Sequence, residues 1–152
     1  MENEPIQTLT RTDDAKVAFD TRAAAVTYAL YNECFPGIPP MTVRAIRTNC
    51  ITRAAWIGDG VAATLLAERV EKKRERYYRV MGLAVAPAHR RRGHGAALMR
   101  CLETLVSPGA VIEVGVDLGR PSTDWLLAWY TTRLGYAPHS SDPTEAVLRK
   151  RV

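Results

Sequence analysis

The ten residues His89-Arg90-Arg91-Arg92-Gly93-His94-Gly95-Ala96-Ala97-Leu98 carry the most legible chemistry in this 152-residue chain. Three consecutive arginines offer charge and forked hydrogen bonds suited to phosphate oxygens. They lead into Gly93 and Gly95, and glycine lets a backbone turn through positive φ or approach a ligand closely. An apolar helical pattern starts directly afterwards, and a helix N-terminus presents unspent N–H groups and partial positive charge. A loop curling over such a terminus aims several amides at one anion. The spacing is neither GxxxxGK[ST] nor GxGxxG. Taken alone, it leaves an anion cradle and a plain strand–helix turn both open.

A second concentration lies in "AVIEVGVD", residues 110–117. A strand there places Ile112, Val114 and Val116 on one face and Val111, Glu113, Gly115 and Asp117 on the other. Two carboxylates on one side of an inner strand are uncommon. The plain reading of Glu113 is a glutamate satisfied in an ion pair.

The elements that must hold these groups can be read from periodicity and breakers. Residues 6–11 suit a short strand. Thr12 caps a helix whose stripe is Val17, Ala24, Tyr28, Tyr31 and Phe35, ended by Pro36 to Pro40. A short helix over 41–48 comes next. Two strand patterns flank Asp59-Gly60, a type I′ turn signal. The charged residues 71–76 read as an exposed turn or hairpin tip. Residues 80–86 are almost continuously apolar, as in a strand covered on both faces. Leu98, Cys101, Leu102 and Leu105 make an amphipathic helix stopped by Pro108-Gly109. Pro121-Ser122-Thr123 opens a further helix bearing Trp125, Ala128, Trp129 and Thr132, with Gly135 at its C′ position. Short strands near 136–139 and over 144–152 close the chain. The implied class is α/β (α+β), a mixed sheet with helices on both faces, in one domain spanning residues 1–152.

Composition narrows the function. No run of 18 apolar residues occurs, and the first ten residues lack the pattern of a secretory leader. Three widely spaced cysteines, without CxxC, argue against a disulfide framework or zinc and for a reducing, cytoplasmic setting. Three histidines without HExxH spacing give no metal centre. The formal net charge of +5 favours anionic ligands without naming one. Nucleic-acid binding through Arg90 to Arg92 and the basic tail would weaken steeply with salt. No stacking platform or recognition helix accompanies those arginines.

The line "VMGLAVAPAHRRRGHGAALM" resembles the cofactor core of the GNAT superfamily of acetyl-CoA-dependent N-acetyltransferases. Its signature is Arg or Gln, two residues, Gly, one residue, then Gly or Ala. Here that reads Arg90-Arg91-Arg92-Gly93-His94-Gly95, after Leu83-Ala84-Val85 and Pro87. The segment "WYTTRLGYAP" is similar to the family's later tyrosine motif. The likeness is good over residues 51–152 and loose before them.

The resemblance implies a mostly antiparallel sheet whose two central parallel strands splay, with pantetheine lying in the gap. Backbone groups of Leu83 and Val85, flanking Ala84, would pair with it, and one amide would polarise the thioester carbonyl. Amides from Arg91, Arg92, Gly93, His94, Gly95 and Ala96 would hold the pyrophosphate, with Arg90 flanking. Tyr130 matches the tyrosine that often protonates the leaving sulfur. Glu113 matches a strand position where some members place their base. Thr123 stands where the family often has a pantetheine-contacting asparagine, and the connection before it is longer than usual. The activity implied is acetyl transfer from acetyl-CoA to a primary amine, of a small molecule or a protein. A non-catalytic acyl-CoA-binding regulatory module is the alternative. The acceptor stays open, as does a homodimer.

Overall fold

The computed structural model describes residues 7–10, 29–30, 34, 50–57, 60–72 and 74–152. The helix expected over 12–35 falls almost wholly outside these residues, although Ala29, Leu30 and Cys34 are helical. The helix expected over 41–48 and Asp59 of the turn also lie outside them. The chain forms two compact units: Met1–Glu68 with Met81–Thr104, and Arg69–Val80 with Leu105–Val152.

The first unit carries strands β1 (Gln7–Thr10), β2 (Cys50–Ile57), most of β3 (Gly60–Lys72) and the end of β4 (Glu75–Val85). They are neighbours in the order β1-β2-β3-β4. The ladders β1/β2 and β2/β3 are antiparallel, with a bulge between Ala55 and Trp56. Residues Ala62 to Ala67 are all buried. That is the signature of a strand covered on both faces, and the alanines leave room for Leu65 and Leu66. The charged stretch 71–76 is the exposed hairpin tip that its composition suggests. β3 runs on through Lys72 and β4 starts at Glu75, with Arg69 and Arg76 both paired to Glu71 at 3.0 and 3.7 Å.

After β4 comes a 3-10 turn, Pro87–His89, then helix α1 (His94–Leu105). Gly93 caps α1, accepting the Ala97 N–H at 3.0 Å. The buried face of α1 is His94, Gly95, Leu98, Met99 and Leu102. It is rotated from the expected stripe, because Cys101 is only half-buried and Leu105 is exposed. Met99, outside the expected stripe, is fully buried.

The second unit has the strand order β4-β5-β7-β6, with β5 at Val111–Asp117, β6 at Ala137–Ser141 and β7 at Glu145–Arg151. β5 pairs in parallel with β4 over three rungs, Tyr78↔Ile112, Arg79↔Glu113 and Val80↔Val114. Its other edge pairs antiparallel with β7 over seven, Val111↔Arg151 to Asp117↔Glu145. The sheet is thus mixed. Ile112, Val114 and Val116 are all buried, so the apolar face of β5 is the one its alternation indicates.

Helix α2 (Thr123–Ala128) passes into a π-helical turn, Trp129–Arg133. Gly135, at φ +78°, closes it as expected of a C′ glycine. The stripe is again rotated. Trp125, Ala128 and Thr132 are exposed, and the buried residues are Thr123, Tyr130 and Leu134. Among the described residues no helix is long and apolar enough to cross a membrane.

Ile112, with no exposed surface, tests the packing of the second unit. Ile112→Val should cost about 1 kcal/mol and Ile112→Ala about 3 kcal/mol, read from denaturant midpoints.

Candidate active site

The loop between β4 and α1 belongs to the first unit. Its shape is set by two left-handed residues, Arg91 at φ +64° and Gly93 at φ +81°. Glycine adopts such a conformation freely, whereas an arginine there is strained. A Cβ built on Gly93 would meet nothing within 4 Å, so the space beside this glycine is open. The amides of His89 and Arg90 close the preceding turn onto Ala86 and Pro87. Among the described residues, none of the backbone N–H groups from Arg91 to Ala96 donates to another backbone group. The next, Ala97, returns to the Gly93 carbonyl. Among the described residues these six successive amides have no backbone acceptor, at a helix start with three exposed arginines beside them, an arrangement able to hold an anion.

Arg90 is turned back on the strand, its Nε donating to the Val85 carbonyl at 3.1 Å. The Cys34 thiol faces the same carbonyl at 3.8 Å. Arg90 therefore fixes the entry of the loop, while Arg91 and Arg92 are the freer cations. Leu83 and Val85 are half-buried, and Ala84 between them is buried. His94 is buried at the first position of α1, and its pKa is lowered by desolvation, then by His89 and Arg92.

In the second unit, Glu113 is 4% exposed and is gripped from both neighbouring strands. Arg79 Nη1 donates to its Oε1 at 3.3 Å and Arg149 Nε to its Oε2 at 2.9 Å. Arg79 also reaches Glu145 at 3.0 Å, and Arg149 reaches Glu75 at 3.5 Å. The Arg149 guanidinium lies 4.7 Å from the Tyr77 ring centroid. Burial works against the Arg149 charge, but its hydrogen bonds to the Glu113 and Glu75 carboxylates outweigh it and raise its pKa. Both Glu113 oxygens are thus occupied by cationic donors. The partners Arg79 and Arg149 escape a reading of the sequence, although each stands directly opposite Glu113 in the ladders. The available signal is the basic run Arg149-Lys150-Arg151 at the end of β7.

Tyr130 sits in the π-helical turn, 6% exposed, between the rings of Trp129 and Tyr136. Both contacts are edge-on, at centroid distances of 4.9 and 5.8 Å. Burial pushes its pKa up to about 12, so its hydroxyl keeps its proton at any working pH. Thr123 has spent its one O–H on the Asp117 carbonyl at 2.7 Å and accepts the Arg120 N–H at 3.1 Å. Its hydroxyl ties the long connection after β5 to the start of α2, and a lone pair is what it has left for a ligand. Asp117 is exposed and paired with Arg120 at 3.2 Å.

Solved structures of similar shape carry one recurrent description. A Streptococcus mutans UA159 protein, smu.2055, aligns over 97% of this chain and 99% of its own, with 15% identity and a TM-score of 0.74. The aminoglycoside 6'-N-acetyltransferase from Enterococcus faecium aligns over 97% of each chain, with 16% identity and a TM-score of 0.69. An aminoglycoside acetyltransferase from an uncultured soil metagenomic sample, HMB0005, covers 94% of this chain and 99% of its own at 24% identity, TM-score 0.64. One aminoglycoside 6'-N-acetyltransferase of this fold was solved with coenzyme A, again at 16% identity over 97% of both chains, TM-score 0.69. At such identities the likeness shows the fold. No curated protein sequence matches the chain significantly. The family model for the acetyltransferase (GNAT) family matches residues 24–136. The chain therefore belongs to the GNAT acetyltransferase family.

Proposed function

We propose that the protein is an acetyl-CoA-dependent N-acetyltransferase acting on a primary amine. The observation that carries this reading is the run of unspent amides from Arg91 to Ala96 at the start of α1. The group these residues would hold is a diphosphate: the amides are successive, the neighbouring arginines are exposed, and Gly93 leaves the space beside it free. When bound, acetyl-CoA supplies an activated acetyl thioester. Arg91 and Arg92 add charge at the rim, and Arg90 holds the loop to the end of β4. Cys34 and Cys101, both outside any disulfide, suit a reducing, cytoplasmic setting.

Tyr130 is assigned the proton-donating role. A thiol ionises near about 8.5, well below the value of about 12 that burial gives this phenol. The proton therefore rests mainly on Tyr130, which serves first as a hydrogen-bond donor to developing charge on sulfur. Glu113 is assigned a holding role in place of the base. Both of its oxygens already accept from guanidinium groups, Oε1 from Arg79 at 3.3 Å and Oε2 from Arg149 at 2.9 Å. The acceptor amine would then lose its proton to water or to a group outside the described residues. That engaged carboxylate also favours the second reading, an acyl-CoA-binding module without turnover. Release of free CoA across a panel of amines, aminoglycosides and peptides among them, separates the two.

Acetyl-CoA should raise the melting temperature with concentration in the manner of a ligand bound only by the folded state. No shift at millimolar acetyl-CoA would overturn the reading. Gly93→Ala should cost about 1 kcal/mol of stability for its positive φ, and weaken acetyl-CoA binding at least tenfold by calorimetry.

Tyr130→Phe should slow turnover roughly 100-fold while leaving acetyl-CoA affinity within about threefold. The same change checks a pH effect on stability. The folded state raises the Tyr130 pKa from 10.0 to about 12, so its contribution is full below pH 10. It is lost as pH climbs from 10 towards 12, because the unfolded chain releases the proton more readily. The variant should lose less stability than the parent across that interval.

Glu113→Gln should lower stability by about 2 kcal/mol, since it leaves Arg79 and Arg149 without their shared carboxylate. Turnover of the folded protein should change less than about threefold. A 100-fold drop with stability intact would make Glu113 the base.

A further inference from the structure

Two buried nitrogens in the anion-cradle region have no hydrogen-bond partner among the described residues: His89 Nδ1 and His94 Nε2. A buried polar atom without a partner is uncommon and calls for a reason. The two imidazoles meet edge-on, with centroids 6.4 Å apart and planes at 80°. His89 ends the 3-10 turn, and His94, 9% exposed, is the first residue of α1. His89 therefore precedes the residues whose amides are unspent, and His94 lies among them.

This is a poor place for an imidazolium while the loop is empty of anions. The positive end of the α1 dipole falls at His94, and the first turn holds no acidic residue. From the loop, Arg92 acts on His94, and from the 3-10 turn His89 does, both lowering its pKa behind the larger effect of desolvation. At the end of β4, the Arg90 guanidinium and the Cys34 thiol are both directed at the Val85 carbonyl. No carboxylate appears among the groups shifting His94. A diphosphate on the amides from Arg91 to Ala96 reverses this field. It brings negative charge to the end of the dipole and to Arg92, so an added proton at the pair becomes favourable.

We propose that His89 and His94 form a proton-acceptor pair that loads when the adjoining loop takes up a diphosphate, linking cofactor binding to pH. The inference rests on the acetyl-CoA reading and names a regulation of that same site. The step is a simple protonation: solvent gives up one proton, and one of the two unpartnered ring nitrogens gains an N–H bond and a positive charge. By linkage, binding tightens as pH falls between the imidazole pKa of the occupied protein and that of the free one. With one proton, the tightening reaches at most about tenfold per pH unit.

The probe is 3′-dephospho-CoA. It keeps the diphosphate but lacks the phosphate monoester, whose second ionisation near about pH 6 would add protons of its own. Calorimetric titration of the full chain at pH 6.5, in two non-phosphate buffers of unlike ionisation heat, should show uptake approaching one proton per bound molecule. His94→Gln or His89→Gln should abolish that uptake and flatten the dependence of affinity on pH. Imidazole resonances of the unmodified protein give a second readout that needs no variant: the His94 pKa should rise on saturation. Binding without proton uptake, uptake unchanged in both variants, or an imidazole pKa that stays put would each overturn the proton link while leaving the cofactor reading intact. No binding at any pH would overturn the cofactor reading itself.

Discussion

One carboxylate organises the second unit. Glu113 is the buried member of a rung that crosses three strands, with Arg79 on one side and Arg149 on the other. Removing a carboxylate from water is costly unless its lone pairs are met by well-placed donors. Here both oxygens are met, and the two guanidinium groups reach on to Glu145 and Glu75. The parallel pairing of β4 with β5 has only three rungs, and Arg79↔Glu113 is the middle one. A short parallel ladder has few backbone hydrogen bonds to set its register. The charge pairing adds a constraint that a one-residue slip would break, since a slip sends every side chain to the other face.

The same network explains a glycine whose role does not lie in its backbone angles. A Cβ on Gly115 would stand 2.5 Å from Oε1 of Glu145. That oxygen also pairs with Arg79. The open position in β5 thus lets a carboxylate from β7 reach over the sheet towards β4. Charge and packing meet at one residue, and the absence of a side chain is what joins them.

Much of the architecture is legible in the sequence because it rests on local signals. The strand over 111–117 and its apolar face come from alternation, and Gly135 from the demand for a left-handed residue after a helix. The turn into α1 is readable from Gly93 and Gly95, and Gly93 takes the positive φ that such a turn asks for. The features that escape depend on tertiary geometry. The buried faces of α1 and α2 are rotated from the expected ones because a helix wheel does not say which apolar residues meet a neighbour. Met99 is buried and Trp125 is not. Glu113 is legible as a buried-strand carboxylate, but its partners come from strands 34 and 36 residues away, and pairing register is invisible to a single-sequence reading. His89 attracts no role in the sequence, because an orphaned ring nitrogen shows only once its surroundings are built.

The π-helical turn over Trp129–Arg133 has a consequence for how this segment tolerates length changes. Such a turn amounts to one residue more than a regular helix needs. The chain holds that surplus where Tyr130 is buried between two aromatic rings. Excising one residue there would restore an ordinary helix and rotate the residues beyond it by about 100° about the helix axis. The tyrosine's orientation is thus set by a surplus in the count of residues as well as by their kind. A deletion in this segment would be felt through angle before it was felt through composition.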